Sequence, residues 1–151
     1  MSLSTLIAQV KSINSTRQDV GAAFDALNPG WQSWTPTYGG GGSLTFTSVT
    51  TRHALYRVVG NICFFTIYAS GTTGGSEGIS LTFTYPVPKY SGSSDATLVA
   101  ATAVHDGSQF YGGYSLLSSS DILVRWYDTR NWGLGSGRRI YVAGHYPTSL
   151  T

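Results

Sequence analysis

The period of the apolar residues changes once along the chain, at Asn28-Pro29-Gly30, and that change divides the sequence into two kinds of structure. Before it, apolar residues fall at Leu3, Leu6, Val10, Ile13, Val20, Phe24 and Leu27, with Arg17 on the beat between Ile13 and Val20. This alternating three-four spacing is that of a heptad, with Leu3, Val10, Arg17 and Phe24 at one seam position and Leu6, Ile13, Val20 and Leu27 at the other. So narrow a stripe suits a helix that meets copies of itself better than one lying on a broad sheet. A helix of this length is marginal alone in water and needs a partner. The residue before a proline is pushed out of the helical region, so Asn28-Pro29 is a stop.

Two other arrangements of residues 1–29 stay open: a lid or arm on the chain's own domain, and a helix broken near Asn14. Arg17 places a charge on the seam, Gly21 costs about 1 kcal/mol of helix propensity, and Asn14-Ser15-Thr16 are poor helix formers. Ser15 followed by Gln18 forms a capping-box pattern at which a second helix can start.

After Gly30 the period is two. Ile79, Leu81, Phe83 and Tyr85 alternate with Ser80, Thr82 and Thr84, as in a half-buried strand. Leu44 to Thr47 and Leu55 to Val59 read the same way. Residues 61–69 are apolar on both faces, which predicts the most central strand. Gly60-Asn61 between two such runs is a two-residue hairpin signal. Further strands are expected at about 96–104, 109–117, 121–127 and 138–143, separated by turn-forming residues. Pro86 and Pro88 end the 79–85 strand, and the glycine runs at 39–42 and 71–75 read as loops. Eight or nine short strands predict an antiparallel β-sandwich of jelly-roll type over residues 30–151.

Composition narrows the function. Only 11% of the 151 residues are charged, against about 25% in ordinary soluble proteins. The nine basic residues are scattered, Arg138-Arg139 being adjacent, which argues against nucleic acid as a partner. The single cysteine, Cys63, lies in an apolar run and reads as a packing residue. No signal peptide is evident, and no run approaches the roughly 18 apolar residues of a membrane span. The expectation is a product made in a cytoplasm, with no membrane insertion.

Four motifs come in a recognisable order: Trp31-Gln32-Ser33-Trp34-Thr35-Pro36-Thr37-Tyr38-Gly39, Ala54-Leu55-Tyr56-Arg57-Val58-Val59-Gly60-Asn61, Gly71-Thr72-Thr73-Gly74-Gly75 and Tyr85-Pro86-Val87-Pro88. Together, over residues 31–88, they resemble the β-sandwich module of tail-fibre, minor structural and head-fibre or decoration proteins of tailed bacteriophages. The resemblance implies a homotrimer on the virion surface that decorates the particle or touches a host surface, with capsid or tail proteins as partners and no catalytic residues. The sequence departs from the pattern at Tyr85, where leucine usually precedes Pro-Val. A short chain with its own leader fits a stand-alone fibre, spike or decoration protein better than the tip of a long tail fibre.

Read on its own chemistry, the entry motif puts Trp31 and Trp34 at the junction of leader and head, where large rings can seal a seam. Thr35-Pro36-Thr37 starts an edge strand, where proline is tolerated. The seven carboxylates are dispersed, and a glycosidase would need two of them across a cleft, as in a pairing of Asp106 with Asp128. His53, His105 and His145 show no metal-ligand spacing, and no phosphate-loop, dinucleotide or nucleophile-elbow motif occurs, so no metal, cofactor or catalytic residue is assigned. The one stretch suited to binding is Arg125-Trp126-Tyr127-Asp128-Thr129-Arg130-Asn131-Trp132. Sugar rings are held by aromatic faces with planar polar groups beside them, and Trp126, Tyr127, Asp128, Arg130, Asn131 and Trp132 supply both. Tyr111 and Tyr114 form a second patch. The same mixture anchors protein interfaces, and Trp126 and Trp132 also fit a core. The expected function is a non-enzymatic structural protein of a phage particle that can adhere to host-cell carbohydrate. The rival expectations are a tail-fibre receptor-binding protein or stand-alone carbohydrate-binding module, and a small glycan hydrolase.

Overall fold

The computed structural model describes residues 30–93 and 98–149, with Ser4, Ile7 and Gln18 in the leader, all three exposed. The helical seam expected from Leu3, Leu6, Val10, Ile13, Val20, Phe24 and Leu27 lies outside the described residues. The chain divides into two units, Met1–Gly30 and Trp31–Thr151. Ser4, Ile7 and Gln18 are helical, and the elements with described bounds are strands of the second unit: β1 (Gln32–Ser33), β2 (Tyr38–Gly40), β3 (Leu44–Val59), β4 (Ile62–Gly75), β5 (Leu81–Thr84), β6 (Leu98–Asp106), β7 (Phe110–Leu117), β8 (Asp121–Trp126) and β9 (Gly135–Pro147).

These strands form one antiparallel sheet in the order β1-β3-β4-β9-β6-β7-β8-β5-β2, and not the two packed sheets of a sandwich. The sheet curls around its own core as a half-barrel. Its length explains the difference. β3 runs for 16 residues, joining two runs that the alternation separates, and it does so through register shifts at Thr47/Thr50 and Thr51/His53, with Ser48 at φ 50°. Such bulges bend a strand and raise its twist, which lets one sheet wrap instead of splitting into two. β4 likewise continues through the glycine run at 71–75, which the sequence reads as a loop. A side chain at Gly71 would sit 2.7 Å from the Phe46 ring, so glycine there admits the neighbouring strand's aromatic residue. β4 is third from one edge of the sheet and not its centre.

Alternation decides which residues go inside. Cys63, Phe65, Ile67 and Ala69 of β4 face the interior with Leu44, Phe46, Leu81, Phe83, Val124, Ile140 and Val142, all buried. Phe65 meets Phe83 across the core at 6.0 Å and Tyr146 at 5.9 Å. Full burial of each such ring contributes about 1.5–3 kcal/mol. The Gly60-Asn61 hairpin forms as its sequence predicts, with Val59 opposite Ile62 and Gly60 at φ 59°. A left-handed first turn residue is what a tight two-residue connection of this twist needs.

The two edges of the sheet are successive pieces of one extended segment. Gln32 and Ser33 pair with Tyr56 and Leu55, and the Trp34 N–H donates to the Ala54 carbonyl at 3.1 Å. After Thr35 and the buried Pro36, the chain changes sides. The Thr84 N–H donates to the Thr37 carbonyl at 3.0 Å, and Tyr38, Gly39 and Gly40 pair with Phe83, Thr82 and Leu81. The Tyr38 ring packs edge-on to Phe46 at 5.9 Å, while its hydroxyl lies 2.7 Å from Thr51 Oγ1, so the segment also touches β3 by side chains.

Two tyrosines at one end of the core hold irregular backbone. Tyr146, fully buried, donates its hydroxyl to the Val87 carbonyl at 2.7 Å and accepts the Val87 N–H at 3.3 Å. Tyr85 does the same for Ser118, donating at 2.8 Å and accepting at 3.1 Å. The Tyr146 hydroxyl thus stands in for a strand partner at the Pro86-Val87-Pro88 crossing, and the Tyr85 hydroxyl adds to the 2.9 Å bond from the Ser118 N–H to the Asp121 carbonyl at the β7–β8 connection. This gives Tyr85 a structural task. Burial, then the adjacent Cys63, push the Tyr146 phenol far above its ordinary range, and burial raises the Cys63 thiol.

Candidate functional site

The 126–132 loop packs its two tryptophans inward. Trp132 is fully buried, donates its indole N–H to the Val124 carbonyl at 3.3 Å, and bridges to Gly78 through its backbone. It has no free face for a ligand, which corrects its place among the candidate contacts. Trp126 is 1% exposed, 4.6 Å from Trp132 and edge-on to Tyr111 at 5.3 Å. Both rings complete the core because β8 alternates cleanly and ends on Trp126, with Ile122 and Val124 on the same inner side.

The polar members of the loop gather outside this pair. The Arg130 guanidinium lies 4.2 Å from the Trp126 ring centroid and 4.4 Å from that of Tyr111, a cation set beside two aromatic rings. Its carboxylate neighbour Asp128 is 3.8 Å away, an exposed and weak pairing. The Asp128 carboxylate also accepts the Arg130 N–H at 3.3 Å, and Thr129 takes a left-handed φ of 57° to let the loop turn. Tyr127 points away, 66% exposed, and Tyr114 lies across the sheet opposite Arg125 and Ala101.

A cavity of about 240 Å³ opens beside Arg130, lined by Asp106, Ser108, Trp126, Arg130, Asn131, Gly133 and Arg138. Asp106, Ser108 and Arg138 were not among the candidate contacts. They arrive from the β6–β7 turn and from β9, where register sets Asp106 opposite Arg138. Asp106 Oδ1 accepts the N–H groups of Ser108 at 2.8 Å and Gln109 at 2.9 Å. Those two donors, Gln109 first, hold its carboxyl below the usual carboxylate range, so it is ionised at neutral pH. The sequence signal was the His105-Asp106-Gly107-Ser108 run, an Asx turn in composition. Arg138 donates from Nε to the Gly133 carbonyl at 3.1 Å and from Nη2 to the Leu134 carbonyl at 2.8 Å, clamping the turn into β9. Thr73 Oγ1 donates to the same Gly133 carbonyl at 2.8 Å. The indole Nε1 of Trp126 is buried without a hydrogen-bond partner among the described residues. Asp128 is not in the cavity wall, so the Asp106–Asp128 pairing does not face a common cleft there.

A second surface lies on the outer side of β3, β4, β9 and β6. Strand register sets Phe64 beside Arg57 and His145, Thr66 beside Leu55 and Ala143, and Tyr68 beside His53 and Tyr141. Ala101 and Ala103 of β6 extend the last two rows. The Tyr68 and Tyr141 rings stack at 4.1 Å, and Phe110, 56% exposed, leans on Tyr141 at 5.5 Å. Burial, then the Tyr68 hydroxyl, raise the Tyr141 phenol above its ordinary range. Between the rings, His53, Thr66, Ala101, Ala103 and Ala143 leave a shallow trough of about 360 Å³. No described strand lies over this face. Trp31 and Trp34 lie at its first edge: Trp34 is edge-on to Tyr56 at 6.1 Å, and Trp31, half exposed, lies 5.3 Å from the Arg57 guanidinium, which is also 5.6 Å from the Phe64 ring.

Set against family models, curated proteins and solved structures, the chain matches none of them.

Proposed function

We propose that this chain is a non-enzymatic structural protein of a tailed-phage particle. In this reading it is a homotrimeric head-fibre, decoration or short fibre protein on the virion surface, held to capsid or tail proteins and able to touch host-cell carbohydrate. The observation that carries the proposal is the outer face of β3, β4, β9 and β6. A sheet face set with Phe64, Tyr68, Tyr141 and Phe110 around small Ala101, Ala103 and Ala143 has the make-up of an interface core, where aromatics are enriched and charges depleted. The leader's heptad seam would bring copies of that face to high local concentration, and shared burial would follow. The motif resemblance over residues 31–88 supplies the threefold number and the virion setting. A second reading, adhesion as the main task, is favoured by the polar cavity beside Arg130.

Light scattering on the full-length chain tests the assembly. The expected mass is close to three times 16.1 kDa. Ala101→Glu, an exposed position in the trough, should lower that mass while leaving the circular dichroism spectrum unchanged. Removing residues 1–27 should leave a folded head that associates weakly. A wild-type chain that runs as a monomer sinks the proposal, and a truncated head that stays a tight trimer sinks the role given to the leader.

A further inference from the structure

We propose that the cavity between the β6–β7 turn and the 126–138 region binds a monoanionic sugar acid, a single ring carrying one carboxylate and several hydroxyls. This rests on the adhesion part of the reading above and is independent of its assembly part, because the cavity and the outer trough share no residue. Charge sets the first requirement. Two guanidiniums, Arg130 and Arg138, and one carboxylate, Asp106, line the wall, and the exposed Asp128 beside Arg130 offsets the remaining positive charge only weakly.

Arg130 is the group suited to a carboxylate. Its Cζ is held beside the Trp126 and Tyr111 rings, its pairing with Asp128 is long and exposed, and a planar fork of donors matches a carboxylate in two hydrogen bonds. Arg138 is committed to the Gly133 and Leu134 carbonyls and contributes charge more than contacts. The ionised Asp106 disfavours a bare dianion such as phosphate but accepts hydroxyl hydrogens, and so marks the ligand as a hydroxyl donor as well as an anion. Asn131 and Ser108 add groups that both donate and accept, which is what vicinal hydroxyls require. Trp126 lines the cavity, and its Nε1–H, buried and unpartnered among the described residues, gives an indole signal that reports on the wall beside the site. A volume of about 240 Å³ is below the common range for drug-sized ligands and limits the occupant to one ring.

The experiment is a titration of the ¹⁵N-labelled full chain with glucuronate, glucose, acetate and inorganic phosphate, following the indole N–H signals. Glucuronate should move the Trp126 indole signal and saturate with a Kd of about 1 mM, while glucose and acetate should each bind at least about tenfold more weakly. Arg130→Ala, at an exposed side chain, should keep the fold and lose about tenfold in glucuronate affinity. No movement of the Trp126 signal with glucuronate overturns the site, whatever the mass of the particle in solution. Equal responses to glucose and glucuronate overturn the role given to the carboxylate. Phosphate binding as tightly as glucuronate overturns the sugar and leaves a general anion site. An Arg130→Ala chain that binds like wild type overturns the residue assignment.

Discussion

Cys63, Phe65, Ile67 and Ala69 on β4 are at most 1% exposed, whereas Phe64, Thr66 and Tyr68, interleaved with them on the same strand, are only half-buried. Both sets are rich in apolar or aromatic atoms, and an apolar run on both faces reads as a strand covered on both sides. Only the inner set is covered by the described residues. The outer set packs sideways against β3 and β9, Phe64 against His145 and Tyr68 against Tyr141. A surplus of apolar residues on one face can therefore report a partner outside the fold as readily as a central place within it.

The sharpest way to break this comparison is to truncate one ring on each side. Phe65→Ala should cost about 3–5 kcal/mol in denaturant unfolding, since it opens a cavity among Phe83 and Tyr146. Phe64→Ala on a dissociated head should cost less than about 1 kcal/mol. Equal losses would mean that the outer face is as much a part of the head's core as the inner one. Next in size are the phenols. Tyr146→Phe strips Val87 of both hydrogen bonds and should cost about 1–3 kcal/mol. Tyr141→Phe should stay within about 0.5 kcal/mol in the same assay.

The smallest effect concerns pH. The carboxyl of Asp106 is depressed in the folded chain by the Gln109 and Ser108 N–H groups, so its contribution is fully present above the ordinary carboxylate pKa of about 3.9. It is lost as the pH falls through the depressed folded value. Asp106→Asn should therefore remove a small part of the acid sensitivity, read as a flatter dependence of the unfolding midpoint on pH. Unchanged slopes would assign that sensitivity to other carboxylates.

Much of the β-structure is legible as period-two patterning. β8, the Gly60-Asn61 hairpin and the burial of Cys63 follow from local residues alone. The middle of β3 does not, because residues around Ser48 are exposed on both sides and leave no alternation to read. The glycines at 71–75 hide a strand because their small size serves a contact with Phe46, distant in sequence, and not a turn. Whether strands split into two sheets or wrap as one depends on bulges and on which edges meet, and neither is a property of a single window. The cavity was half legible: Trp126, Arg130 and Asn131 share one loop, but Asp106, Ser108 and Arg138 join them only through the pairing of β6 with β9.

The segment that ends both sides of the sheet has a consequence for the order of events in synthesis. Residues 31–40 leave the ribosome first among the head's strands, yet their partners at Leu55–Tyr56 and Leu81–Phe83 are made later. Non-local pairing of this kind is slow, since loop closure must come before any contact rewards it. Docking of this segment cannot be complete before Phe83 is made, and until it occurs β3 and β5 each present an open edge. The same ten residues that close both sides of the native sheet thus also shield a newborn chain from its neighbours.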